Sequence, residues 1–162
     1  MLLLEPWLVW LERTPLAALI RGHAWLYPLV EIGHILSFAV LIGAAAMFDL
    51  RLLGLSRGMS VTGMARHVLP WARLGLCIAA PTGVLLFIVD ATTIAANPAF
   101  QIKLGLLALA IMNACLFHAW SKGTVAAWDV GQPTPLGAKL AACASLILWA
   151  GVVSCGRLIA YL

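Results

Sequence analysis

The sequence predicts an all-α integral membrane protein, a four-helix bundle preceded by short interfacial amphipathic helices. Three observations carry this. Of the 162 residues, 64% are hydrophobic and 10% charged, whereas soluble domains carry about 25% charged residues. Ten basic and six acidic side chains are too few to coat a water-facing surface, and a mean hydropathy of +1.03 suits lipid as the solvent. The apolar residues fall into four runs of at least ~20 residues, enough to cross ~30 Å of hydrocarbon at ~1.5 Å per residue. No low-complexity tract or convincing internal repeat is present, and residues 1–162 are expected to form a single membrane domain.

Residues 1–22 are apolar but interrupted, running through Leu2–Leu4, Pro6, Trp7 and Trp10 to Glu12, Arg13, Thr14 and Pro15. Thr14-Pro15 has the form of an N-cap followed by proline at the first helical position. Two short helices lying in the interface fit this stretch better than a span, with Trp7 and Trp10 at headgroup level. Glu5, Glu12 and the lack of a basic start argue against a cleavable signal peptide.

The first span is expected at about 24–53, ended by Gly54 and the polar stretch 56–63. The second is expected at about 67–90, with Pro70 in its first turn and Pro81 kinking its middle. After a linker containing the turn signal Asn97-Pro98, the third span covers about 100–120. A hydrophilic loop with Gly131, Pro133 and Pro135 leads to the fourth, about 136–162. Cys77, Cys115, Cys143 and Cys155 lie in apolar segments with no C-x-x-C pair. They are expected to be small buried side chains rather than a disulfide framework.

The net charge of +4 does not point to nucleic acid, because the basic residues sit between apolar runs and set topology instead. Arg51, Arg57, Arg66, Lys122 and Lys139 flank the loops after spans one and three, with Arg73 just inside span two. Arg13, Arg21, Lys103 and Arg157 share the other side with Glu5, Glu12, Glu31 and Asp90. The margin favours a bacterial inner membrane topology with both termini periplasmic.

Ionisable residues inside spans are costly and mark candidate sites. Glu31, Lys103 and Arg157 fall on one level, about 11–12 Å from the midplane by the helical rise, with His34 one turn deeper. Glu31 and His34 are i,i+3 neighbours on one helix face. This polar layer either locks three helices in register through a Glu31–Arg157 or Glu31–Lys103 pair, or binds a quinone head, haem propionates or a small anion. On the opposite side, Arg73 and His118 share a level, while His67 and Asp49 lie nearer the surface. His67 and His118 differ by about 7 Å in depth, an imperfect match for the bis-imidazole pair of a b-type haem. Asn113 is expected to bridge two helices by a hydrogen bond. Met47, Met59, Met64 and Met112 form no M-x-x-M track, and no hydrolase, zincin or P-loop motif is present.

Three segments, Tyr27-Pro28-Leu29-Val30-Glu31-Ile32-Gly33-His34, Phe48-Asp49-Leu50-Arg51-Leu52-Leu53-Gly54 and Asn97-Pro98-Ala99-Phe100-Gln101-Ile102-Lys103, carry a family resemblance, joined by Leu148-Trp149-Ala150-Gly151 and Gly156-Arg157. Over essentially its whole length the chain resembles a family of small bacterial four-span membrane proteins catalogued as a domain of unknown function, with D-L-R-L-L-G its most specific part. More loosely, it is similar in architecture to copper-resistance D-type membrane domains and four-helix b-type cytochromes.

Three functional expectations follow. The first is a haem b electron-transfer subunit near the quinone pool, drawing on His34, His67 and His118 as ligands, with Arg73, Lys103 and Arg157 facing anionic groups. It exchanges electrons with quinone or with another membrane or periplasmic redox protein. The second is copper or small-ion handling along Glu31 and His34, which requires a homo-oligomer. The third is a structural partner of a larger membrane complex.

Overall fold

A computed structural model describes residues 5–161 of the chain. The expected roles of Leu2–Leu4 and of the final residue of span four lie outside them. The described residues form helices α1 (Glu5–Glu12), α2 (Pro15–Gly22), α3 (Leu26–Leu53), α4 (Val61–Val89), α5 (Ala91–Ala96), α6 (Pro98–Ser121) and α7 (Leu136–Leu158), with a 3₁₀ turn at Val125–Trp128. Helices α3, α4, α6 and α7 are each long and apolar enough to cross a membrane. They run antiparallel in sequence, so α1, α2, α5 and the last described residues gather at one end of the bundle, here the chain-end side. The α3–α4 and α6–α7 connections lie at the other, here the two-loop end.

The order around the bundle is α4, α3, α7, α6: α3 packs against both α4 and α7, and α6 packs against α7. Helices α3 and α4 approach backbone to backbone at Gly75. A Cβ there would stand 2.6 Å from the Ser37 carbonyl oxygen and 2.9 Å from the Leu41 nitrogen, so only glycine admits the α3 backbone. Such small-residue contacts replace the hydrophobic drive that lipid does not supply. Asn113 donates to the Ala141 carbonyl at 2.9 Å, the expected α6–α7 bridge.

At the chain-end side the Thr14 hydroxyl accepts from Ala17 N at 3.3 Å, and Pro15 opens α2 as expected. The Glu12 carboxylate accepts from Thr92 N and from the Thr92 hydroxyl, both at 2.7 Å, satisfying the start of α5. Arg21 donates to the Val89 carbonyl at 2.6 Å and to that of Glu12. Trp7 and Trp10 point outward, as interfacial side chains do.

The two-loop end holds the main apolar cluster, where Phe48, Leu52, Val61, Met64, Val68, Phe117 and Trp128 pack together. It also holds a polar knot. Arg51, 1% exposed, donates to the Met59 carbonyl at 2.7 Å and to the Asp129 carbonyl at 3.0 Å. The Asp129 carboxylate accepts from Thr62 N at 2.7 Å and from the Ser60 and Thr62 hydroxyls at 2.9 Å. Its backbone carbonyl also takes Val61 N. Gly54, at φ +112°, ends α3 in the left-handed conformation that glycine adopts at least cost.

This knot explains the largest boundary difference. Ser60 and Asp129 cap α4, so the helix begins at Val61 rather than near His67, and Pro70 lies in its third turn rather than its first. The linker 91–96 is helical, and α7 ends at Leu158. The cysteines also differ from expectation: Cys155 is buried, but Cys77, Cys115 and Cys143 face outward, because a lipid-facing surface accepts a thiol as readily as the interior does.

Two outcomes test this packing. Gly75→Ala forces the two backbones apart and is expected to destabilise by about 1–3 kcal/mol, read as a lower melting temperature in detergent. Gly33→Ala, which meets nothing within 4 Å, is the control that does not fall. The Thr62 backbone N–H, with the Thr62 and Ser60 hydroxyls, holds the Asp129 carboxyl below its ordinary range. A depressed folded-state pKa contributes stability above the unfolded value that is lost as pH falls through the folded one. Wild-type protein therefore melts lower as pH drops below the usual aspartate range. Asp129→Asn melts lower at neutral pH and loses part of that acid dependence.

Candidate functional site

The expected polar layer is partly assembled. His34 on α3 and Lys103 on α6 both face the Phe38 ring, in the half of the bundle nearer the chain ends, and Glu31 and Arg157 do not join them. Glu31 is exposed on the bundle exterior. The Arg157 guanidinium turns to its own helix end, donating to the Tyr161 hydroxyl at 2.6 Å and lying 4.9 Å from that ring's centroid. Residues one apart differ by 100° around a helix, so a shared level does not make a shared face.

His34 is the most constrained of the polar residues. Its Nδ1 lies 3.0 Å from the Ala79 carbonyl oxygen and 3.1 Å from the Thr82 hydroxyl. A carbonyl can only accept, so Nδ1 carries a proton, and in the neutral ring Nε2 then presents a lone pair. Pro81 sits between these two partners and interrupts the α4 ladder, its missing N–H leaving the Cys77 carbonyl without its helical donor. The ring stacks on Phe38 at 5.9 Å and faces Gly83, where a Cβ would lie 3.0 Å from Cε1. Phe38 meets Trp149 of α7 edge-on at 5.9 Å.

The Lys103 ammonium lies 6.0 Å from the Phe38 ring centroid and rests against Gly156. Among the described residues no carboxylate pairs with it. A shallow apolar groove between α3 and α7, about 160 Å³ and lined by Ile42, Ala46, Leu146, Trp149, Ala150 and Val153, adjoins this aromatic group. The arrangement thus offers one hydrogen-bond acceptor, one cationic donor and two aromatic rings beside an apolar slot.

The second expected level is also found. Arg73 and His118 share a cleft of about 360 Å³ at the two-loop end, together with Lys122, Ser121 and Thr62. His118 stacks on Phe48 at 6.4 Å and meets Phe117 at 5.5 Å. His67 does not join it: the cleft is lined from α4 by Thr62, Ala65, Leu69 and Arg73, and His67 is exposed on another face. Nor does His34 approach His118. His34 lies about 12 Å along α3 and His118 about 30 Å along α6 from the same end. Among the described residues no group of three or more His, Cys, Asp or Glu side chains comes together to hold a metal ion.

Sequence reasoning missed the buried polar residues of the D-L-R-L-L-G motif. Asp49 is 6% exposed, lies by Ser145 of α7 and leaves Oδ2 without a hydrogen-bond partner. Arg51, counted only as a topology charge, is the centre of the knot. Partner carbonyls such as that of Ala79 leave no mark in a sequence.

Fold and site together define a small four-span membrane protein with a polar residue pair embedded in its bundle. The chain belongs to the family of unknown function DUF6644, which matches residues 8–162. No curated protein and no solved structure matches it.

The expected Glu31 lock gives a direct test. With neither group in an ion pair among the described residues, Glu31→Gln and Arg157→Gln are each expected to change stability by no more than about 0.5 kcal/mol. A clear drop in the detergent melting temperature for both would restore the lock.

Proposed function

We propose that the protein is a membrane electron-transfer subunit working at the quinone pool, and that His34 and Lys103 receive the head of a quinone or quinol. The observation that carries the reading is the fixed tautomer of His34 beside an unpaired lysine. A quinol hydroxyl donates to Nε2, and a quinone oxygen accepts from the ammonium. Phe38 and Trp149 supply ring surfaces, and the α3–α7 groove suits the start of an isoprenoid tail. An intramembrane lysine without a counter-ion is costly, and a ligand oxygen gives it a partner.

Haem b belongs to the same proposal as a cofactor with one imidazole per chain. The three histidines lie apart, so two ligands to one iron come from two copies of the chain or from a partner subunit. Small-ion handling likewise needs ligands from a second copy. We place the protein in the bacterial inner membrane, with the two-loop end, rich in arginine and lysine, in the cytoplasm and both termini in the periplasm.

The test is binding of a short-chain quinone to purified protein, read by quenching of tryptophan fluorescence. Lys103→Met is expected to weaken binding about 10-fold or more and His34→Phe about 5-fold, the sizes of a charged and a neutral hydrogen bond. Wild-type affinity in both variants overturns the site. A b-type reduced-minus-oxidised band that disappears in His34→Phe assigns the histidine to haem instead.

A further inference from the structure

We infer that the cleft at the two-loop end is a binding site for an anionic phospholipid. This site is separate from the His34–Lys103 pair, at the opposite end of the bundle.

Arg73, His118 and Lys122 line the cleft with the hydroxyl residues Thr62 and Ser121, and among the described residues no carboxylate lines it. Arg73 and Lys122 are close enough to act on the charge of His118. The carboxylate that reaches Thr62, that of Asp129, is already occupied by the Ser60 and Thr62 donors. Three cationic or ionisable groups thus face one space with no counter-ion among the described residues.

Depth says what kind of anion fits. Helix α4 has 29 residues, about 44 Å of helix against ~30 Å of hydrocarbon. Arg73 stands about 18 Å from its start, below the boundary of the hydrocarbon. An arginine at such depth draws phosphate and water inward rather than standing alone. The remaining wall is apolar: Phe48, Ala65, Leu69, Phe117 and Val125 run beside the charged groups.

The helix arrangement leaves the entrance. Helices α4 and α6 are the outer members of the α4, α3, α7, α6 order and do not pack along their length. They meet near the chain-end side, where Phe87 and Phe100 stack at 5.2 Å. The gap at the other end suits an acyl chain lying along the apolar wall, with its phosphate among Arg73, His118 and Lys122. Basic pockets between spans are the usual form of such sites.

The experiment uses the full chain in mild detergent, with phosphatidylglycerol or cardiolipin added in mixed micelles and phosphatidylcholine as the comparison. The anionic lipids are expected to raise the melting temperature by several degrees more than phosphatidylcholine. Arg73→Gln combined with Lys122→Gln abolishes that difference, Arg73→Lys combined with Lys122→Arg keeps it, and His34→Phe keeps it too. Equal stabilisation by phosphatidylcholine, or an unchanged lipid effect in the double glutamine variant, overturns the site. Inorganic phosphate alone giving the same shift overturns the lipid assignment in favour of a free anion. Should the glutamine variant fold poorly, native mass spectrometry of the wild type decides: retention of phosphatidylcholine as readily as phosphatidylglycerol overturns the proposal.

Discussion

The contact on which the candidate site depends is the approach of α3 to α4 at Gly75, where backbone meets backbone. Lipid does not press helices together, so close packing and interhelical hydrogen bonds must hold them. With α3 and α4 this close, the His34 side chain one turn from Ser37 reaches the Ala79 carbonyl across the interface. Gly83 leaves space for the imidazole on the same helix. The orientation of the ring, and hence which nitrogen is free, follows from helix packing rather than from any neighbouring acid.

The two ends solve the polar problem differently. At the chain ends, Glu12 and Arg21 reach across to α5 and α4 and satisfy exposed helix termini. At the two-loop end, Arg51 and Asp129 bring α3, the 54–60 turn and the 122–135 loop together. Arg51 Nη1, Asp49 Oδ2, Thr124 Oγ1 and Trp128 Nε1 remain buried there without protein partners. Such atoms in native interiors are commonly met by ordered water. Between these ends the bundle exterior is mostly apolar, with Glu31 and His67 exposed on it, while His34, Lys103 and His118 face neighbouring helices or the clefts.

Much of the fold was legible because membrane spans are set by length and hydropathy, which composition records directly. The start of α4 was not. It depends on the Asp129 carboxylate, 67 residues after Thr62 in the chain, accepting the Thr62 backbone N–H as a cap. Depth was legible in part: Arg73 and His118, expected on one level, share a cleft, and His34, expected one turn deeper than Lys103, faces the same Phe38 ring as that lysine. Azimuth was harder, since an error of one residue turns a side chain by 100°. That is why Glu31, Arg157 and His67 were expected in clusters they do not join. Arg51 was misread because a charge near a helix end has two uses, topology or structure, and only the fold distinguishes them.

The most direct test of the His34 site is the ¹⁵N spectrum of its imidazole in protein labelled at histidine, assigned with a His34 variant. The structure predicts a neutral ring protonated at Nδ1, with an Nε2 resonance that moves when a quinol is added. A ring protonated at Nε2, or one whose Nε2 ignores the quinol, would contradict the account, because the lone pair offered to the ligand would not be there.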